Sequence, residues 1–172
     1  MARPLGDSVL VEAPKVVERV LQHTIGVREL IPSKTIAAAI PRLLTKTKKL
    51  LAGAGIDVPG KPFFRFHSIN MGVQYDIEVG YLCSTPFMNI EGLSQSFFPP
   101  GTYVTLRYAG KNRGYQGNKA LIEWARTNGY DQDRWDTGLG DTFRCRFEVY
   151  VSDIDNEDDH RKWIKEVAIL VR

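Results

Sequence analysis

The chain has 172 residues, 43% of them hydrophobic and 25% charged, which suits one globular unit with a sizeable core. Its formal charge of +3, from 23 basic and 20 acidic residues, is small and dispersed, so no phosphate-tracking basic surface is expected. No run approaches the roughly 18 continuous apolar residues of a membrane span, and the start of the chain lacks the apolar core of a signal peptide, so the expectation is a cytoplasmic protein without a membrane partner.

The stretch Val16 to Arg28 is rich in β-branched and apolar residues and reads as a strand. Ile36, Ile40, Leu43, Leu44, Thr47, Leu50 and Leu51 then recur at helical spacing, with Ser33 or Thr35 available to cap the start and Gly53 or Gly55 the end. Pro41 must lie in the first turn or kink this helix, and Lys46, Lys48 and Lys49 fall on its polar side. Two further strands are expected over Pro62 to Ile69 and Tyr75 to Cys83, joined by the turn-prone Asn70-Met71-Gly72.

After a linker over 84–96 the order recurs, with a strand from Phe97 to Tyr108, a helix near Asn118 to Asn128, and strands over Phe143 to Ser152 and Trp163 to Val171. Gly26-Val27-Arg28 matches Thr105-Leu106-Arg107, and Tyr75-Asp76-Ile77-Glu78-Val79 matches Trp163-Ile164-Lys165-Glu166-Val167, at spacings of about 80 to 90 residues. The reading is a single α+β domain over 1–172, built from duplicated β-α-β-β units at about 16–83 and 97–172. Pairing the two units gives an antiparallel sheet with pseudo-twofold symmetry, helices on one face and a central ligand groove on the other.

The strand around Glu148 alternates, so if Phe147, Val149 and Val151 pack against a helix, Glu148 and Tyr150 share the opposite face. An ionised carboxylate in an apolar setting is costly unless paired. Either it pairs with an Arg on a neighbouring strand (Arg65, Arg107 or Arg146) or points to solvent, or its partner is a cationic guest held among aromatic rings. Glu78 and Glu166 occupy matching places in the two units and either join Glu148 in the groove or pair across strands with Lys165 or Arg residues.

His23, His67 and His160 are scattered, Cys83 and Cys145 lack metal-type spacing, and no nucleophile elbow or phosphate loop is present. No metal and no cofactor is therefore expected. Gly138-Leu139-Gly140 reads as a turn, and Asp153 to Asp159 as an acidic turn without the pattern of a calcium loop.

Several segments, taken in order, resemble the GyrI-like small-molecule-binding family, the effector-binding domain of AraC-type and BmrR-type regulators. They are Asp76-Ile77-Glu78-Val79-Gly80, Pro99-Pro100-Gly101-Thr102-Tyr103, Arg134-Trp135-Asp136-Thr137, and Arg146 to Asp153 followed by Trp163 and Glu166-Val167. The resemblance runs from about Val16 to the C-terminus. It implies a stand-alone binding module for amphipathic, cationic drugs or metabolites, with Glu148 as the buried glutamate and Tyr150, Tyr103 and Trp135 in the lining; Phe66, one of the chain's many strand aromatics, is a further lining candidate on composition alone.

Tyr115 resembles the tyrosine of the family's turn before the second helix, although the loop ahead of it departs from the usual Gly-Pro-Tyr. With about 15 residues ahead of the first strand, direct DNA binding by a preceding helix-turn-helix is not expected. Two other functions follow from the resemblance. One is hydrolysis of electrophilic, cyclopropane-type compounds with Glu148 as general base; the other is a protein-partner role of the gyrase-inhibitor kind through the acidic 153–159 segment.

Overall fold

The computed structural model describes residues 10–86, 89–110 and 113–172, so parts of the expected linker and of the N-terminal segment lie outside the described residues. The strands are β1 (Leu10–Arg19), β2 (Gln22–Pro32), β3 (Pro62–Asn70), β4 (Gln74–Cys83), β5 (Ser94–Phe98), β6 (Gly101–Ala109), β7 (Arg134–Thr137), β8 (Gly140–Phe143), β9 (Arg146–Tyr150) and β10 (Ile164–Leu170). The helices are α1 (Ile36–Gly53) and α2 (Gly114–Thr127).

Eight strands form a path β5-β2-β4-β3-β9-β10-β6-β1, antiparallel throughout, and the β7–β8 hairpin joins it through β3. This is an α+β fold, and its strand order is palindromic: β2, β3, β4 and β5 correspond to β6, β9, β10 and β1. The matched segments of the sequence agree with the register, because Val27 pairs with Val79 in one half and Leu106 with Val167 in the other. Continuing inward, Val79 pairs with Phe64 and Val167 with Glu148, and Phe64 and Glu148 pair with each other. The pseudo-twofold axis therefore passes between Phe64 and Glu148.

Two expected strands are each divided. The first breaks at Val20-Leu21, so that β1 pairs with β6 of the second half while β2 pairs with β4 and β5 of the first. The strand expected from Phe97 breaks at Pro99-Pro100, where two residues without an N–H end the ladder of β5.

Ala39, Leu43, Thr47 and Leu51 are the buried stripe of α1, four residues apart, and Gly117, Leu121 and Ala125 form that of α2. The α1 stripe packs with Val27, Ile77, Val79, Phe64 and Tyr150, while the α2 stripe packs with Leu106, Tyr108, Val167 and Ile169. Pro41 lies inside α1 and not in its first turn. The alternate residues Phe63, Tyr103, Phe147, Val149 and Ala168 face the other way into a separate cluster, where Phe98 stacks on Phe147 with ring centroids 3.8 Å apart.

Both helices thus cover the face that carries Glu148 and Tyr150, and Phe147 and Val149 pack among strands. The reading from sequence had placed helix and groove on opposite faces. Alternation separates two faces but does not say which one receives a helix.

Candidate functional site

Between α1 and α2, over the pseudo-twofold axis, lies a cavity of about 580 Å³. This is within the roughly 300–1,000 Å³ typical of small-molecule sites. One wall comes from α1 through Ile36, Ala37, Ile40 and Leu44, and Phe64 and Phe66 of β3 continue it. The opposite wall comes from Tyr108, Asn118, Arg146, Glu148, Tyr150 and Lys165. Trp163 and Ile154 close one side, and Tyr115, which is 74% exposed, stands at the rim.

Glu148 is 3% exposed, and both of its carboxylate oxygens are engaged. Tyr108 donates its hydroxyl to Oε1, and Asn118 donates Nδ2 to Oε2 at 3.2 Å. Asn118 in turn accepts from Arg146 Nη2 at 2.9 Å through Oδ1, so one amide links the acid to the guanidinium. Burial pushes the Glu148 carboxyl up from its ordinary value; Lys165, the two hydrogen bonds and Arg146 act against that rise without reversing it. Burial and the neighbouring carboxylate likewise push the Tyr108 phenol up, so it is a hydrogen-bond donor across the physiological range.

Local sequence explains why these side chains meet. Arg146, Glu148 and Tyr150 alternate along β9 and so share a face. Gly117 allows α2 to lie directly on the Tyr108 ring, since a Cβ there would come within 2.7 Å of Tyr108 Cδ1. The Tyr108 hydroxyl is thereby held beneath the helix and aimed at Glu148. Aromatic edges line the floor, with Phe64 against Phe66 at 5.7 Å and Tyr150 against Trp163 at 6.2 Å between centroids.

Of the residues singled out from sequence, the cavity brings together Glu148, Tyr150, Phe66 and Tyr115. Glu78, Glu166, Tyr103 and Trp135 lie elsewhere. Glu78 and Glu166 alternate with helix-facing Val79 and Val167 and therefore point to the other face. There Glu78 meets His67 Nε2 at 2.9 Å, and Glu166 pairs with Arg107 at 3.0 Å and with Arg19. Tyr103 is fully buried on that face and donates to Pro99 O at 2.7 Å.

Trp135 lies on β7, half-exposed in a separate cleft with the Arg144 guanidinium 5.5 Å from its ring centroid. The acidic 153–159 segment folds back on the molecule: Ile154 reaches the cavity, Glu157 O accepts from Trp163 Nε1 at 2.8 Å, and Asp159 caps the short turn at His160–Lys162.

Tyr108, Asn118 and Lys165 were not expected at the site. A signal for Lys165 was present in the sequence, because the matched segments set it against Ile77, a charge at a place the other half fills with a fully buried apolar side chain. Among the described residues, no helix is long and apolar enough to cross a membrane, and no cluster of three or more His, Cys, Asp or Glu could hold a metal ion.

No family model and no curated protein matches the chain. Solved structures do match. The C-terminal domain of EcmrR is 18% identical with a TM-score of 0.71, the match covering 95% of this chain and 99% of that domain. Against the EcmrR chain in its DNA complex the TM-score is again 0.71 at 17% identity, and this chain spans 58% of its length. SAV2435, solved bound to tetraphenylphosphonium, is 10% identical with a TM-score of 0.58 over 92% of this chain and 93% of that one. A hydrolase from Listeria innocua is 13% identical with a TM-score of 0.55 over 93% and 92%. The chain shares their fold.

Proposed function

We propose that this chain is a small-molecule-binding module. Its ligand is amphipathic, with an aromatic or otherwise flat apolar body held between α1 and β3 and a polar end directed at the wall built by α2, β9 and β10. The observation that carries this reading is the cavity itself: about 580 Å³, lined by both halves of the fold, with aromatic rings and a buried carboxylate in its lining. A neighbour of the same fold solved with a lipophilic phosphonium gives it further support.

The cationic ligand anticipated from sequence presupposes a carboxylate in want of a partner. Tyr108, Asn118, Arg146 and Lys165 surround that carboxylate, and among the described residues that line the wall two basic side chains stand against one acid. Cation binding is accordingly not the form of the proposal.

The test is a fluorescence titration with the amphipathic dye 1-anilinonaphthalene-8-sulfonate. Ala37 lies on the groove wall, so Ala37→Trp narrows the groove without touching the polar wall. Saturable one-to-one binding, weakened about tenfold or more in Ala37→Trp, supports the reading; equal affinities for the two proteins refute it.

A second reading is hydrolysis with Glu148 as general base, for which its raised pKa and the hydrolase of the same fold speak. Both oxygens of Glu148 are already hydrogen-bonded, which favours a holding role over a proton-abstracting one. Time-dependent product formation in mass spectrometry, set against stoichiometric binding, separates the two.

A further inference from the structure

Lys165 is a cation built into the binding wall. It stands between Tyr108 and Tyr150, its cross-strand partners on β6 and β9, and is 6% exposed. Its ammonium nitrogen lies 5.2 Å from the Tyr108 ring centroid, 5.5 Å from that of Tyr150 and 5.7 Å from that of Phe64. Three rings at such distances form the kind of cage that attracts ammonium and phosphonium groups. Glu148, one diagonal step away across β9 and β10, supplies the opposite charge.

The chain's own side chain thus fills the place a lipophilic cation would take. A second donor lies in the same wall: Arg146 gives Nη2 to Asn118, while its buried Nε has no hydrogen-bond partner among the described residues. The pseudo-symmetric counterpart of Lys165 is Ile77, so the fold does not require a charge at this position.

We infer, given that the groove binds small molecules at all, that Lys165 acts as a resident cation which excludes lipophilic cations and, with Arg146, selects aromatic anions such as carboxylates or sulfonates. The apolar body of such an anion lies against Phe64, Phe66 and α1. Its anionic end lies toward Arg146 and Lys165, which both line the groove. A monovalent cation of the same shape meets like charge instead, in a setting where water screens little.

Two aromatic dyes of opposite charge provide the test, 1-anilinonaphthalene-8-sulfonate and rhodamine 6G. Each is titrated by fluorescence into the wild-type protein, Lys165→Met and Lys165→Arg, with circular dichroism reporting the fold. The wild-type protein and Lys165→Arg bind the sulfonate at least about tenfold more tightly than rhodamine 6G, and Lys165→Met gains about tenfold or more for rhodamine 6G while losing affinity for the sulfonate. Rhodamine 6G affinity unchanged by Lys165→Met, or a wild-type preference for rhodamine 6G, overturns the inference and leaves the binding reading in place. Failure of both dyes to bind any of the three proteins overturns the binding reading, and the inference with it. Should Lys165→Met not fold, the order of the two affinities in the wild-type protein and in Lys165→Gln decides.

Discussion

Replacing Tyr108 by Phe removes one hydroxyl from beneath α2 and leaves the buried Glu148 Oε1 without its donor. A hydrogen bond to a charged group contributes about 1.5 to 3 kcal/mol, against about 0.5 to 1.5 kcal/mol for a neutral pair, so the loss depends on whether Glu148 is ionised. Burial raises the Glu148 pKa in the folded protein above its ordinary 4.5. A raised folded pKa means that the associated stability is fully present below the unfolded value and is lost as pH rises through the folded one. The Tyr108 hydroxyl opposes that loss by stabilising the ionised form. Tyr108→Phe therefore costs about 1 kcal/mol at pH near 4, where the acid is protonated in the folded state, rising to about 2 kcal/mol or more over the range from there to the alkaline side of the folded pKa, where it is ionised. In a chain of this size the larger figure corresponds to a fall in Tm of about 4 to 8 °C. Urea unfolding followed by circular dichroism across that pH range measures the difference. A cost that does not change with pH, or one below about 0.5 kcal/mol at the alkaline end, would falsify the coupling of Tyr108 to an ionisable Glu148.

Two other substitutions test the architecture around the site. Gly117→Ala places a Cβ within 2.7 Å of the Tyr108 ring, and the helix-propensity gain of about 1 kcal/mol is outweighed by overpacking of about 1 to 3 kcal/mol. Net destabilisation in urea, together with weaker binding of the sulfonate dye, is expected; a stabilised variant with unchanged binding contradicts the close approach. Arg65, 7% exposed, donates to Phe97 O at 3.0 Å and to Arg144 O at 2.8 Å, tying β3 to β5 and to the segment before β9. Arg65→Met strands two carbonyls and should cost about 2 kcal/mol or more in urea unfolding, while dye affinity stays within about twofold because the residue faces away from the groove.

The duplication was legible because two periodicities recur in the same order, and the matched segments agree with the pairing of Val27 with Val79 and of Leu106 with Val167 that the structure shows. The division of the first strand was not. An alternating run from Val16 to Arg28 is equally compatible with one strand, and its break reflects which partner each half finds. Pro99-Pro100 did carry a local signal, since neither residue can donate to a ladder. The β7–β8 hairpin has strands of only four residues, too short for alternation to show.

At the site, Glu148 and Tyr150 were readable from alternation along one strand, but Tyr103, Glu78 and Glu166 carry the opposite parity. Parity relative to the helix-facing Val79 and Val167 would have excluded the two glutamates. Asn118 and Tyr108 depend on α2 lying close over β6, a packing distance set by Gly117 and visible only in three dimensions.

The pseudo-symmetry also explains why the cavity has two chemically different walls. A strict duplication would set identical groups across the axis, but the pairs here are Phe64 with Glu148, Ile77 with Lys165, and Phe66 with Tyr150. Every ionisable member of those pairs belongs to the second half. Burying separate charges on opposite walls would cost several kcal/mol for each ion. Gathering them on one wall lets Tyr108, Asn118, Arg146 and Lys165 act on one carboxylate, so that each charge lies near its opposite. The first half is then free to remain apolar, with Ile36, Ile40 and Leu44 of α1 against Phe64 and Phe66. A ligand bound across the axis meets hydrocarbon on one side and charge on the other. Its orientation is therefore set by how the two halves diverged, on a scaffold that they share.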